Sequence, residues 1–246
     1  MSSSISPAGP WPGLPAQVVC AGRYPHHLQG LTGDGVDTLV WSFTDVLVKT
    51  DLTGQVTARA EVPTHHGDLC LAGGKVYVAW SNQFNRPGAD SKVYIYDASD
   101  LALERIVRVP ELTFGAGGME YRDGHFFIIG GLPEGYEENT VYEYDGDFRL
   151  VQTHVLPSGY TKLGIQTVCF HDDHWWFGCY TVEGKKGLLR ADADLHLQGI
   201  YDISPAIGLI GWGPGRFWMA EHFGEQWQAR AVPMRPDETL GLVRAD

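Results

Sequence analysis

One unit recurs along the whole chain, and it constrains the fold more than any other feature. Each copy opens on a short Gly-containing stretch and continues through a strand, a tight turn and a second strand rich in aromatic and branched residues. A polar loop, a third strand, an Asp-bearing turn and a fourth strand complete it. The second strands fall at residues 38–41, 76–80, 126–129, 175–178 and 217–220. Four of them follow turn pairs: Gly73-Gly74, Asp123-Gly124, Asp172-Asp173 and Pro214-Gly215. These are hairpin residues at hairpin spacing. Third and fourth strands align over 46–63, 93–110, 141–157 and 188–204, and 229–246 follows the same template more loosely. A period of about 40–50 residues with four short strands is that of propeller blades.

The repeat predicts an all-β fold: a five-bladed β-propeller of four antiparallel strands per blade, forming a single domain over residues 1–246. The blades are expected near 24–63, 64–110, 111–157, 158–204 and 205–246, after a flexible N-terminal segment, 1–15, rich in Ser, Pro and Gly. An irregular β-sandwich is the competing architecture, but it gives no reason for five aligned units. Two closures of the ring are open. The outer strand of the last blade comes either from 239–244 or from the N-terminal run 17–21. Either removes an exposed sheet edge.

Charge narrows the partners. Thirty Asp and Glu against 18 Lys and Arg give a net charge of −12. The basic residues are scattered, with Lys185-Lys186 the one adjacent pair. Nucleic-acid binding needs clustered cations to neutralise phosphates, so no nucleic-acid partner is expected. No apolar run approaches the roughly 18 residues of a membrane span, and the N-terminus lacks the zones of a signal peptide. No membrane partner is expected, and the cytoplasm is the default location. The cysteines, Cys20, Cys70, Cys169 and Cys179, sit in or beside apolar runs without C-x-x-C spacing and read as buried free thiols.

Propeller geometry sorts the polar residues. The starts of the innermost strands converge at one end of the channel, together with the loops between second and third strands. Those starts read His26-His27-Leu28-Gln29, His65-His66-Gly67-Asp68, Gly117-Gly118-Met119-Glu120, Gly164-Ile165-Gln166-Thr167 and Ile207-Gly208-Leu209-Ile210. Four of the ten histidines thus occupy equivalent positions in adjacent blades. His26, His27, His65, His66, Asp68 and Glu120 are the catalytic candidates, because imidazoles beside carboxylates exchange protons near neutral pH. Such a set also suits a divalent metal, Zn²⁺, Mn²⁺, Fe²⁺ or Ca²⁺, with His27 and His66 as candidate ligands. Side chains alternate along an extended strand, so one histidine of each pair is expected to face the channel. Gln29, Trp80, Gln83, Tyr136, Gln166, Tyr180, Glu221 and His222 are candidates for binding a small polar molecule. The long loop 81–91 could cover them as a lid. His125, His171 and His174 fall at the opposite end. There is no G-x-S-x-G elbow, P-loop or H-E-x-x-H helix. The string Gly115-Ala-Gly-Gly118 lacks a following helix, so no nucleotide cofactor is expected.

The stretch Tyr24-Pro25-His26-His27-Leu28-Gln29-Gly30-Leu31, with the turn Lys49-Thr-Asp-Leu-Thr-Gly54, resembles the first blade of bacterial and plant glutamine cyclotransferases. Leu28 stands where those enzymes carry Thr, and His66-Gly67-Asp68 where they tend to carry Gly-Glu-Gly. The resemblance implies a five-bladed propeller of similar length and lyase or cyclase chemistry. The expectation is therefore an enzyme of proton-transfer type (elimination, cyclisation or isomerisation). Two alternatives stand beside it: a non-catalytic ligand-binding or interaction propeller, and a glycoside-processing hydrolase using Asp68 and Glu120 as its carboxylate pair.

Overall fold

The computed structural model describes residues 9–181 and 187–245. A short strand β1 (Val18–Val19) precedes the first blade, which consists of β2 (Leu28–Gly33), β3 (Thr38–Phe43), β4 (Val46–Asp51) and β5 (Val56–Glu61). The second blade holds β6 (His66–Ala72), β7 (Lys75–Asn82), β8 (Asp90–Asp97) and β9 (Leu103–Arg108). The third holds β10 (Ala116–Arg122), β11 (His125–Gly130), β12 (Asn139–Tyr144) and β13 (Leu150–Leu156). The fourth holds β14 (Lys162–His171), β15 (His174–Tyr180), β16 (Leu188–Asp192) and β17 (Leu197–Tyr201). The fifth is built on β18 (Leu209–Gly211), β19 (Phe217–Phe223), β20 (Gln228–Asp237) and β21 (Gly241–Arg244). All pairings are antiparallel, and the expected five-bladed propeller is what the chain forms. No helix among the described residues is long and apolar enough to cross a membrane. Lys185 and Lys186 lie outside the described residues.

Two local devices repeat. Gly73-Gly74, Asp123-Gly124 and Asp172-Asp173 close hairpins between the pairs Ala72↔Lys75, Arg122↔His125 and His171↔His174. Both residues of each turn have positive φ, the conformation whose twist matches that of the strands. Between third and fourth strands every blade carries an Asp whose Oδ1 accepts the N–H two residues on. These bonds are Asp51–Thr53 (2.8 Å), Asp97–Ser99 (2.7 Å), Asp145–Asp147 (2.9 Å), Asp192–Asp194 (3.0 Å) and Asp237–Thr239 (2.9 Å). The carboxylate replaces the backbone partners that a reversing chain loses.

The apolar residues sort into five clusters, one at each interface between adjacent blades. Phe127 on Trp175 joins the third and fourth blades, with ring centroids 4.6 Å apart, and Trp176 on Phe217 joins the fourth and fifth at 5.1 Å. The four cysteines are buried within these clusters.

Both closures foreseen for the ring are realised together. The ten-residue β20 is long enough to hold two partners along its outer edge. β1 pairs with its first half (Val18↔Ala231, Val19↔Arg230) and β21 with its second (Met234↔Arg244, Asp237↔Gly241). Residues 9–15, expected to be flexible, include Trp11, set edge-on to Trp218 at 6.0 Å, and Leu14, packed on the same cluster. Val18 is fully buried there. Val18→Ala should therefore cost about 2 kcal/mol of stability in chemical denaturation, through two lost methyl groups and the space they leave.

Candidate functional site

The innermost strands of the first four blades share an irregularity. Pairing with the second strand shifts between Leu28 and Gly30, His66 and Leu69, Ala116 and Met119, and twice between Lys162 and Thr167. These bulges lie where the strands begin, at the end of the channel that carries the histidine pairs. A bulge breaks the two-residue alternation and re-aims side chains, and bulges concentrate beside functional sites. Glycine permits the close approach this requires. A Cβ on Gly117 would stand 2.7 Å from the carbonyl oxygen of Ile165, and one on Gly67 3.3 Å from that of Gly117.

A cavity of about 170 Å³ opens between these strands. Six of the sequence candidates line it: His27, Gln29, His65, His66, Gln166 and Tyr180. Gly67, Ser81, Phe84, Ala116, Gly117 and Leu163 complete the wall. Ser81 and Phe84 belong to the stretch expected as a lid. That loop is pinned: Asn85 N–H donates to the Phe114 carbonyl (2.8 Å), and Gly88 and Ala89 donate to that of Thr113. Among the described residues, none of those lining it is an Asp, Glu, Lys or Arg.

The four histidines have different fates. His66 is fully buried, with Nδ1 2.7 Å from the Pro63 carbonyl and Nε2 2.6 Å from the Tyr96 hydroxyl. A carbonyl only accepts, so Nδ1 carries the proton and Nε2 accepts from the tyrosine. Burial pulls its pKa down to about 4. With both nitrogens engaged, His66 has no lone pair for a metal, and the His27–His66 ligand pair finds no support in this geometry. Among the described residues, no group of three or more His, Cys, Asp or Glu is placed to hold a metal ion. His26 is exposed and pairs with Asp45 at 2.9 Å. His65 has φ 71°, so the His65-His66 pair is not extended, and the expectation of simple alternation fails there. His27 lines the cavity beside Trp227 (centroids 5.6 Å). Its pKa is lowered by burial first and then by His26 and His65, so the ring is neutral near pH 7. Neither the His27 ring nor the His65 ring has a hydrogen-bond partner among the described residues.

Asp68 and Glu120 are not part of the cavity wall. Asp68 Oδ2 accepts the N–H of Met119 (3.1 Å) and of Val168 (3.0 Å), reaching from the second blade to the innermost strands of the third and fourth. Glu120 accepts from Tyr121 N (2.7 Å) and, across to the fourth blade, from Phe170 N (3.1 Å). Burial holds Asp68 well above the usual carboxylate range and lifts Glu120 to about 7.

The candidates outside the cavity wall are exposed or hold the scaffold, and Gln166 is braced from within the wall. Trp80 Nε1 donates to the Thr64 carbonyl (2.7 Å), under the Lys92 ammonium 4.7 Å from its ring. Gln83 is exposed at a turn with φ 60°. Tyr136 is half exposed against Phe114. Glu221 binds Arg230 (3.1 Å) and Arg244 (2.6 Å), tying β19 to β20 and β21. His222 Nε2 accepts the Leu28 N–H at 2.9 Å, which fixes the start of β2 from the fifth blade. Gln166 donates to the carbonyls of Leu163 (3.0 Å) and Gly164 (3.2 Å).

No protein-family model matches the sequence, and no curated protein matches it. Among solved structures, the computationally designed Ika4 protein is similar at 11% identity and a TM-score of 0.42, covering 71% of this chain and 96% of its own. BamB from Moraxella catarrhalis is similar at 14% identity and 0.41, covering 88% of this chain and 60% of its own. The computationally designed Ika8 protein gives 10% and 0.41, with 83% and 70% covered. None of these likenesses bears on function.

Proposed function

We propose that this protein is an enzyme that binds a small, uncharged polar group in the channel cavity, with His27 as its proton acceptor. One observation carries the reading. Among the described residues, His27 is a neutral imidazole without a hydrogen-bond partner, on the wall of a cavity that they line with amides, a hydroxyl and a phenol and with no Asp, Glu, Lys or Arg. A base needs a free lone pair near neutral pH and a substrate within reach. Gln29 and Tyr180 offer donors and acceptors for the bound group, and Gln166 keeps its amide oxygen as an acceptor.

The resemblance of the first blade to glutamine cyclotransferases makes an N-terminal glutaminyl residue the first substrate to test. There the α-amine attacks the side-chain amide carbon, the C–N bond to the leaving nitrogen breaks, and ammonia departs. His27 would take the proton from the attacking amine and return it to the leaving nitrogen. A non-catalytic binding module is the second reading. It is favoured by the absence of a carboxylate among the described residues of the wall, since Asp68 and Glu120 are spent on backbone amides.

Ammonia release from a Gln-Ala dipeptide at neutral pH tests both. The enzyme reading expects turnover and a fall of about 100-fold in kcat/KM for His27→Ala, the scale of one general base. Dipeptide that shifts the His27 ring resonances in ¹⁵N NMR without releasing ammonia would decide for the binding module. If there were neither turnover nor a shift, both readings of this cavity would fall.

A further inference from the structure

At the opposite end of the propeller a second hollow, of about 480 Å³, lies between the third and fourth blades. Three imidazoles line it, and each already faces a carboxylate. His125 Nδ1 bonds Glu143 Oε1, His154 Nε2 lies 2.8 Å from Glu143 Oε2, and His196 Nδ1 lies 3.2 Å from Asp192 Oδ2. Burial pushes the Glu143 carboxyl up, but the bonds from His125 and His154 outweigh it and hold the group below its usual range. An ionised carboxylate only accepts, so both rings donate to it. In the neutral rings the proton therefore sits on Nδ1 of His125 and Nε2 of His154. His125 Nε2 and His154 Nδ1 are left as lone pairs, with no hydrogen-bond partner among the described residues.

Glu143 is three-quarters or more enclosed, with 15% of its side chain exposed, and His154 with 22%. A carboxylate behind an imidazole fixes the tautomer and raises the basicity of the outward nitrogen. The charges in the wall are unequal. Asp123, Glu143 and Asp194 stand against Arg122 alone. That guanidinium is already engaged, 2.8 Å from the Ala193 carbonyl, 3.2 Å from Asp123 and stacked 4.0 Å over Phe170. The hollow thus presents acceptors and negative charge to whatever enters it.

We propose that this hollow is a second ligand site, distinct from the channel cavity, and that it takes a small molecule carrying a protonated primary amine. The ammonium donates to the outward nitrogens of His125 and His154 and is attracted by the negative charge of Asp194 in the wall and of Glu143 behind the two rings. It has three N–H donors and no acceptor, the complement of this wall.

Glucosamine and N-acetylglucosamine share a body and differ in that charge, so they test the proposal directly. In ¹⁵N-histidine NMR at 150 mM NaCl, glucosamine should shift the rings of His125 and His154, leave those of His27 and His65 in place, and saturate at roughly millimolar concentration. N-acetylglucosamine should do nothing. Asp194→Asn, at an exposed turn, and Glu143→Gln should each raise the glucosamine concentration needed, Glu143→Gln by about tenfold. No shift with glucosamine, equal shifts with both sugars, or unchanged affinity in both variants would overturn it. So would Zn²⁺ perturbing these rings while glucosamine leaves them unmoved.

Discussion

Asp68→Ala should lower folding stability by about 3–5 kcal/mol, while Asp68→Asn should cost about 1 kcal/mol. In a propeller each innermost strand pairs on one side only, and its other edge faces the channel. β10 pairs with β11 and β14 with β15. The amides of Met119 and Val168 point from those free edges into buried surroundings, and both end on Asp68 Oδ2 at 3.1 and 3.0 Å. Alanine leaves two buried N–H groups unpaired on two different blades, at about 1–3 kcal/mol each. It also leaves a void, because Asp68 is 2% exposed and packs against Gly30. Asparagine keeps an oxygen in the same place. It also matches the uncharged form that burial favours for this carboxyl. Guanidinium denaturation of the three proteins at one pH checks the order. An alanine variant as stable as the asparagine variant would remove the clasp from the account.

The contrast between Asp68 and the turn aspartates explains how far the sequence could be read. Asp51, Asp97, Asp145, Asp192 and Asp237 occupy one position of a repeating unit, and their role is local, two residues along the chain. Such interactions travel with the repeat, as do the hairpin turns, so the five blades are legible in the sequence alone. The partners of Asp68 lie 51 and 100 residues away. Nothing near Asp68 in the sequence marks it as a clasp rather than a catalytic group.

The histidines show the same limit. Position in the repeat brought His27, His65 and His66 to one cavity with Gln29, Gln166 and Tyr180. It could not foresee that bulges at the strand starts would spoil alternation, turning His66 into the second blade against Tyr94 and Tyr96. Nor does it mark Ser81 and Phe84, because the length of their loop suggests a lid and the bonds that pin it to Thr113 and Phe114 span more than twenty residues. The choice between the two closures of the ring stays open in the sequence for a simpler reason. The repeat offered two candidate outer strands and no indication that β20 is long enough for both.

Glu120 gives the propeller an unusual dependence on pH. Burial lifts its pKa from the ordinary 4.5 to about 7, against the opposing bonds from Tyr121 and Phe170. The folded state therefore holds the proton more tightly than the unfolded chain does. Its contribution to stability is fully present below pH 4.5 and is lost as the pH rises through about 7. The span corresponds to on the order of 3 kcal/mol. Asp68, also raised by burial, acts in the same direction from lower pH. The turn aspartates Asp97, Asp145, Asp192 and Asp237 act oppositely. Hydrogen bonds hold them below 3.8, so their contribution is lost only as the pH falls through that lower range. The two trends place greatest stability near pH 4–5, and Tm should fall between pH 5 and pH 7.5. Glu120→Gln removes the titrating group while keeping one acceptor oxygen for the amides. It should be slightly less stable than the parent at pH 4.5, by about 1 kcal/mol for the lost bond. It should be more stable than the parent at pH 7.5, so the two stability curves cross. Parallel curves across that window would mean that Glu120 is ionised without penalty in the folded channel and that the apolar surroundings do not govern it.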